Sequence, residues 1–358
     1  MKSMLSRLTL GLLLLALAST AAQAQPFNLW LRMAGDPSSG YIEIPHSPAL
    51  NPTGAFTIEA WVNIANNVAG EDCRSIAGKN YTAAWWIGQC NVGGQPVLRS
   101  YLKGGGSVRN GGVIPRGIWT HVAVTFDGAT RRHYINGELA ASFPETGPLT
   151  TSTNPMRIGS DVSWVHTPAG SIDEVRLWNV ARSTAQIRAT INVPITTPQP
   201  GLVALWALNA SPNDTFGVHN GTAVGAGLTV GVFPAIASCG SSTLGALCLQ
   251  GRFQITTGWR TNPTPGTPID GGGSVVVAGP NSGIFWFFSS DNWEVMVKAL
   301  NGCGLNSRYW ILSAATTNVF YRMEVVDVRA GQQKIYFNYP GPPAPALLDI
   351  ADGFATCP

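Results

Sequence analysis

FTIEAWV, residues Phe56 to Val62, decides the fold. Phe56, Ile58, Ala60 and Val62 fall on one side of an extended chain, with Thr57, Glu59 and Trp61 on the other. This period of two marks a strand with one face in a core. The same rhythm spreads in both directions. Tyr41 to Ile44 alternates upstream. Downstream, WTHVAVTF (119–126) runs into the turn Asp127-Gly128. Arg132 to Ile135 precedes Asn136-Gly137, the strongest short hairpin signal, and Glu138 to Ser142 returns. Met156 to Gly159 and GSIDEVRLW (170–178) complete the set. One helix interrupts, with Ser183 as N-cap and Ala185 to Thr190 as about two turns. Short strands at regular spacing with Gly and Asn turns predict an all-β sandwich over Pro26 to Leu208.

The chain has 358 residues, enough for roughly two domains. Hydrophobic residues make up 45% and charged residues 11%, against about 25% charged in ordinary domains. That excludes intrinsic disorder and a coiled coil. Residues 209–238, rich in Gly, Ala, Thr and Asn, read as a linker with room for a strand or two but no periodic core pattern. Beyond Cys239, strand patterns at Arg252–Trp259, Ile284–Phe288, Trp293–Leu300, Tyr309–Ser313, Val319–Val328 and Lys334–Tyr339 predict a second, smaller β-sandwich over 239–358.

The first 24 residues read as a signal peptide. Lys2 and Arg7 form the positive region, Leu8 to Ala18 the apolar one, and Ala22-Gln23-Ala24 the small-x-small cleavage site. The expectation is a secreted protein, extracellular or periplasmic, starting near Gln25. No later run reaches the ~20 apolar residues of a membrane span. Losing Lys2 and Arg7 leaves 20 basic residues against 19 acidic. Such a balance lacks the clustered basic face that nucleic acid needs.

Cys73, Cys90, Cys239, Cys248, Cys303 and Cys357 form an even set behind a signal peptide, which implies disulfides. Position favours Cys73–Cys90, Cys239–Cys248 and Cys303–Cys357, and the last four could also pair crosswise. No C-x-x-C pair suggests a metal.

FTIEAWV, WTHVAVTFDG and GSIDEVRLWN, in that order with Tyr134-Ile135-Asn136-Gly137 between the last two, resemble the laminin-G-like branch of the concanavalin A-like lectin/glucanase jelly rolls. The likeness covers roughly Phe27 to Leu208, placing a jelly-roll domain at 25–208. CLQGRF (248–253), FWFF (285–288) and the terminal Cys357-Pro358 resemble a small uncharacterised β domain recurrent in secreted bacterial proteins. The first resemblance implies a face that holds glycans or protein ligands. It also implies an edge Ca2+, with Asp173 as a ligand and Asp36 as a second carboxylate. Adjacent on a strand, Asp173 and Glu174 should point to opposite faces.

Glucanase chemistry needs two carboxylates across the scissile bond. The Glu-x-Asp-x-x-Glu pattern is absent, and Glu43, Glu59, Glu138 and Glu145 stand alone in sequence. No Gly-x-Ser-x-Gly elbow occurs, and His121 reads as packing. Trp61, Trp119, Trp178 and Trp206 read as core. The aromatic candidates for stacking on sugars are Trp85, Trp86, Tyr101 and Trp164, with His166 beside the last. The reading is a secreted, non-catalytic binding protein for a glycan or glycoconjugate, calcium-assisted if the edge site exists. Its rivals are an adhesive or structural surface protein with protein partners, and a polysaccharide-acting enzyme with an unrecognised site.

Overall fold

The computed structural model describes residues 29–34, 40–65, 73–103, 107–163, 167–262, 264, 267, 269–341 and 345–358. The first 24 residues, read above as a signal peptide, and Asp36, Trp164 and His166 lie outside the described residues.

Two antiparallel sandwiches follow one another, as the strand rhythm predicts. In the first, one sheet runs Glu138–Pro144, Thr130–Ile135, Thr120–Phe126, Phe56–Ile64, Ala169–Trp178, Leu29–Ala34, Leu228–Val232, and Leu202–Trp206 also pairs with Ala169–Trp178. We call it the helix-side sheet. The facing sheet runs Thr222–Val224, Tyr41–Ile44, Met156–Ile158, Arg74–Gly78, Trp86–Val92, Gln95–Tyr101, Val108–Val113. It carries the bonded Cys73–Cys90 pair, and we call it the disulfide-side sheet.

Phe56, Ile58, Ala60, Val62 and Ile64 point between the sheets, where they meet Ile42, Ile76, Trp85, Ile87 and Ile158 in one buried core. The hairpin turns at Asn136-Gly137, both with positive φ (50° and 75°). The helix spans Thr184–Thr190, and Ser183 and Gln186 cap it reciprocally in a capping box.

Residues 209–238 do more than link. Thr222–Val224 extends the disulfide-side sheet beside Tyr41–Ile44, and Leu228–Val232 extends the helix-side sheet beside Leu29–Ala34. Their strands lack the alternating apolar pattern because both are edge strands with little core contact: Thr222, Ala223, Thr229, Val230 and Val232 are exposed.

In the second sandwich the inner sheet runs Leu247–Leu249, Phe253–Arg260, Phe320–Asp327, Gln332–Asn338, and Gly271–Gly272 pairs with Phe253–Arg260. The outer sheet runs Ser274–Ala278, Ser282–Trp286, Trp293–Asn301, Tyr309–Ala315, Leu347–Phe354. Its core includes Phe253, Ile255, Phe285, Phe287, Val297, Ile311, Met323 and Phe354. Phe285 and Phe287 fill that core, whereas Phe288 is exposed, so FWFF alternates singly and does not fill the interior as a block. Cys239–Cys248 and Cys303–Cys357 are bonded, so all three expected pairings hold.

The sandwiches pack against each other. Trp61 and Trp119 are buried, but not in the core of their own sandwich. They join Ile191, Ile335 and Phe337 in a cluster between the two. Trp61 stacks on Phe337 at 6.1 Å and 15°. Arg260 reaches across to Glu138 at 2.7 Å, and the Arg188 guanidinium lies 3.6 Å from the Tyr339 ring centroid. Gly137 permits that approach, since a Cβ there would stand 2.6 Å from the Tyr339 hydroxyl. Among the described residues no helix is long and apolar enough to cross a membrane.

Candidate functional site

Trp85 and Trp86 are neighbours on an extended chain, so their rings go to opposite faces. Trp85 enters the core, fully buried, with its indole N–H donated to the Leu50 carbonyl at 3.1 Å. It is no stacking platform, contrary to the expectation. Trp86 lies on the outer face of the disulfide-side sheet, but it too is buried, as a floor. Its indole N–H donates to Ser75 Oγ at 2.8 Å, and its ring covers Gly88, where a Cβ would stand 2.3 Å from it.

Tyr101, paired with Trp86 on the next strand, stands edge-on to it at 5.5 Å. Tyr81 meets Tyr101 at 5.6 Å. Both tyrosines are half-buried, above the Cys73–Cys90 bridge. Beside them Arg99 Nε donates to Asn110 Oδ1 at 2.7 Å. The loop bearing Tyr81 is tied down: Asn80 Oδ1 accepts from the Thr82 N–H (2.8 Å) and from Ser163 Oγ (2.9 Å). Asp161 accepts from the Tyr81 N–H at 3.1 Å, and burial raises its carboxyl above the ordinary range. The result is a fixed patch of two phenol rings with a guanidinium and an amide alongside. Rings with a polar tip suit a ligand that is apolar on its C–H face and hydroxylated at its edge. Sequence reasoning singled out Tyr101 and missed Tyr81, Arg99 and Asn110. The signal for Arg99 and Asn110 was the period of two, which puts Arg99 beside Tyr101 on the same face.

The outer face of the helix-side sheet is different. Glu59, fully buried, receives Arg182 Nη1 at 2.7 Å and the Trp178 indole N–H at 2.8 Å. Arg176 stands 4.0 Å from it, and His121 stands 3.6 Å away. Burial, with Arg176 and Arg182 near, holds the His121 imidazole well below its ordinary pKa, so it stays neutral. Asp173 and Glu174 do not diverge as expected. The strand bulges between Asp173 and Arg176, with Glu174 at φ 50°. The extra residue resets the alternation. Asp173 lies opposite Trp61, and Glu174 turns to the same outer face, where Arg176 Nη2 reaches it at 2.8 Å.

Asp173 is fully buried, and among the described residues no three His, Cys, Asp or Glu side chains converge as a metal-binding group. Calcium takes roughly six to eight oxygens. Of the two expected carboxylate ligands only Asp173 is among the described residues, so backbone carbonyls and waters would have to complete a shell around it.

One pair resembles hydrolase chemistry. Ser100 Oγ lies 2.7 Å from His133 Nε2. Both are fully buried, and no hydrogen bond orients His133 Nδ1. Burial, then Arg131 and Arg109, lowers the His133 pKa to about 3. Arg131 also donates to Ser100 Oγ at 3.1 Å and to Glu145 Oε2 at 2.6 Å. With no oriented base and no access, the pair is structural. The four glutamates that stand alone in sequence each meet an arginine: Glu43 with Arg157, Glu59 with Arg182, Glu138 with Arg260 and Glu145 with Arg131.

Residues 36–188 match the family model of the concanavalin A-like lectin/glucanases superfamily in its laminin-G form, so the first sandwich carries a laminin-G-like domain. Mouse pappalysin-1 is 32% identical over 93 residues, which is 24% of this chain and 6% of that protein. The chain thus spans a small fraction of that curated relative. A Bacteroides ovatus protein assigned to carbohydrate binding superposes with a TM-score of 0.47 at 22% identity, over 57% of this chain and 60% of its own. The LG4–5 domains of the mouse laminin α1 chain give a TM-score of 0.33 at 10% identity, over 90% and 81% of the two chains.

Proposed function

We propose that this is a secreted, non-catalytic protein that binds a glycan on the outer face of its disulfide-side sheet. The carrying observation is the Tyr81–Trp86–Tyr101 cluster, with Arg99 and Asn110 fixed beside it. The tyrosine rings cover the C–H face of a sugar, and the guanidinium and amide take its hydroxyls. Three disulfides support an oxidising compartment, in keeping with Ala22-Gln23-Ala24. The arginine partners of Glu43, Glu59, Glu138 and Glu145 support a binding rather than a hydrolytic role, since glycoside hydrolysis needs two carboxylates facing one cleft. This reading needs no calcium.

The test is a glycan array followed by calorimetry. Tyr101→Ala and Arg99→Ala should each weaken the best glycan about tenfold or more, equivalent to ~1.4 kcal/mol, with the melting temperature near that of the parent. A glycan that binds both variants as tightly as the parent sinks this face as the site.

A further inference from the structure

The strand Leu228–Val232 ends the helix-side sheet. One of its edges pairs with Leu29–Ala34, and among the described residues no strand pairs with the other. An end strand offers a row of unpaired backbone N–H and C=O groups, which proteins blunt with charge, proline, bulges or shortness. The strands at the other ends of the four sheets are blunted in these ways. Glu138–Pro144 bulges after Leu139 and closes on Pro144. Val108–Val113 carries Arg109 and pairs in broken register. Thr222–Val224 and Leu247–Leu249 have three residues each. Ser274–Ala278 pairs in broken register, Gln332–Asn338 carries Lys334, and Leu347–Phe354 carries Asp349 and Asp352. Leu228–Val232 has none of these devices. Its sequence is LTVGV, and its register against Leu29–Met33 is unbroken.

Its side chains are open as well. Leu228, Val230 and Val232 share one face, and Leu228 packs on the core, yet Val230 is 47% and Val232 54% exposed. Leu228 and Val230 line a cavity of about 130 Å3 with Leu31, Ile42 and Ala223, between this strand and the end strand of the facing sheet. The opposite face holds Thr229 and Gly231. Trp30 lies over Gly231, where a Cβ would stand 1.9 Å from Trp30 Nε1. Arg32, opposite Thr229 on the neighbouring strand, is exposed.

We propose that two copies of this chain pair through Leu228–Val232, antiparallel about Val230, and join their helix-side sheets into one. In that register the strand is complementary to itself. Val230 meets the partner's Val230, Leu228 the partner's Val232, and Thr229 the partner's Gly231, so no charge faces a like charge. The two cavities then close on each other's valines. On the opposite face a row crosses the junction: Arg32, Thr229, the partner's Gly231 and the partner's Trp30. It sets a guanidinium toward an indole ring, a favourable pair. An unrelated extended segment would supply the backbone hydrogen bonds but not that row, so the strand favours its own copy. The contact is the same patch on both copies, as a two-fold dimer requires. Five paired residues make a smaller contact than the standard interface of about 1,600 Å2, so the dimer is concentration-dependent. The inference does not rest on the glycan reading.

The test is the mass of the full chain by light scattering after size exclusion, from about 1 µM to about 500 µM, the range of a weak interface. The mass should rise from one copy to two. Val230→Lys sets two ammonium groups against each other on the axis. It should weaken the dimer about tenfold or more, with the melting temperature at low concentration near that of the parent. Val230→Cys should join two copies by a disulfide on mild oxidation, since opposed residues of an antiparallel pair stand about 4.5–5.5 Å apart at Cα. Leu348→Cys, more exposed but on the second sandwich, should not. The native cysteines are all bonded and do not compete. If the lysine variant fails to fold, the cross-link decides. A single copy at every concentration overturns the proposal and leaves the edge to another protein's strand. A dimer that Val230→Lys leaves intact overturns it in favour of another face, and so does equal cross-linking of the two cysteine variants.

Discussion

The outer face of the helix-side sheet and the outer face of the second sandwich's outer sheet have opposite fates. On the first, Thr57, Glu59, His121, Asp173 and Arg176 are buried although all are polar. On the second, Met296, Leu348 and Ile350 are exposed although all are apolar, and Leu348 is 63% exposed. The helix, the chain after it and the second sandwich cover the first face, and no described element covers the second. Burial here follows what is stacked on a sheet, while residue type follows whether each buried charge can find a partner. Arg182, Arg176 and Trp178 let Glu59 lie in the interior.

The largest effect should come from breaking the covered face. Arg182→Ala removes the closest partner of a buried carboxylate and should cost about 3–5 kcal/mol, read from urea unfolding. A loss below ~1 kcal/mol would mean that the covered face is no more dependent on pairing than an ordinary surface.

Next comes the cover itself. Phe337→Ala takes away the ring stacked on Trp61 and should cost about 2 kcal/mol. Calorimetry should then resolve two transitions where the parent has one. If the parent already shows two, the sandwiches unfold separately and Trp61 is shielded less firmly than its burial implies.

Acid should act on the first sandwich before the second. His133 has a pKa of about 3 in the folded chain, against an ordinary 6.5. The unfolded chain therefore takes up its proton near 6.5 while the folded chain cannot. Stability is fully present above 6.5 and is lost as pH falls toward 3, by about 1.4 kcal/mol per pH unit. His121 acts in the same direction. Glu138, raised by burial, acts in the opposite direction, and only as pH nears the carboxylate range. Urea midpoints at pH 7, 6 and 5 should decline, and a flat series would contradict buried neutral imidazoles.

The open face should respond least. Leu348→Lys should change stability by no more than about 0.5 kcal/mol, and a larger loss would reveal a cover not seen here. Melts in calcium and in a chelator test the edge site expected at Asp173: a higher melting temperature in calcium supports it, and equal values sink it.

The strands and the disulfide pairings were legible in the sequence because a period of two and chain proximity are local signals. The alternation of Phe56 to Val62 told which residues turn inward, but not what Trp61 would meet on the outside, since Phe337 is far away in the chain. Asp173 and Glu174 misled for a related reason. Strict alternation holds only in a regular strand, and one residue with positive φ reset it. Residues 209–238 showed no strand pattern because edge strands contribute few core side chains. Arg99 and Asn110 became visible as a site only once adjacent strands set them beside Tyr101.

Each cysteine bonds to the next one along the chain, at separations of 17, 9 and 54 residues. Such pairing has consequences for assembly in an oxidising compartment. A chain emerging N-terminus first exposes its thiols in the order in which they must join. An oxidase acting on each new pair would make the native bridges without later reshuffling, so maturation should need a thiol oxidant but no disulfide isomerase.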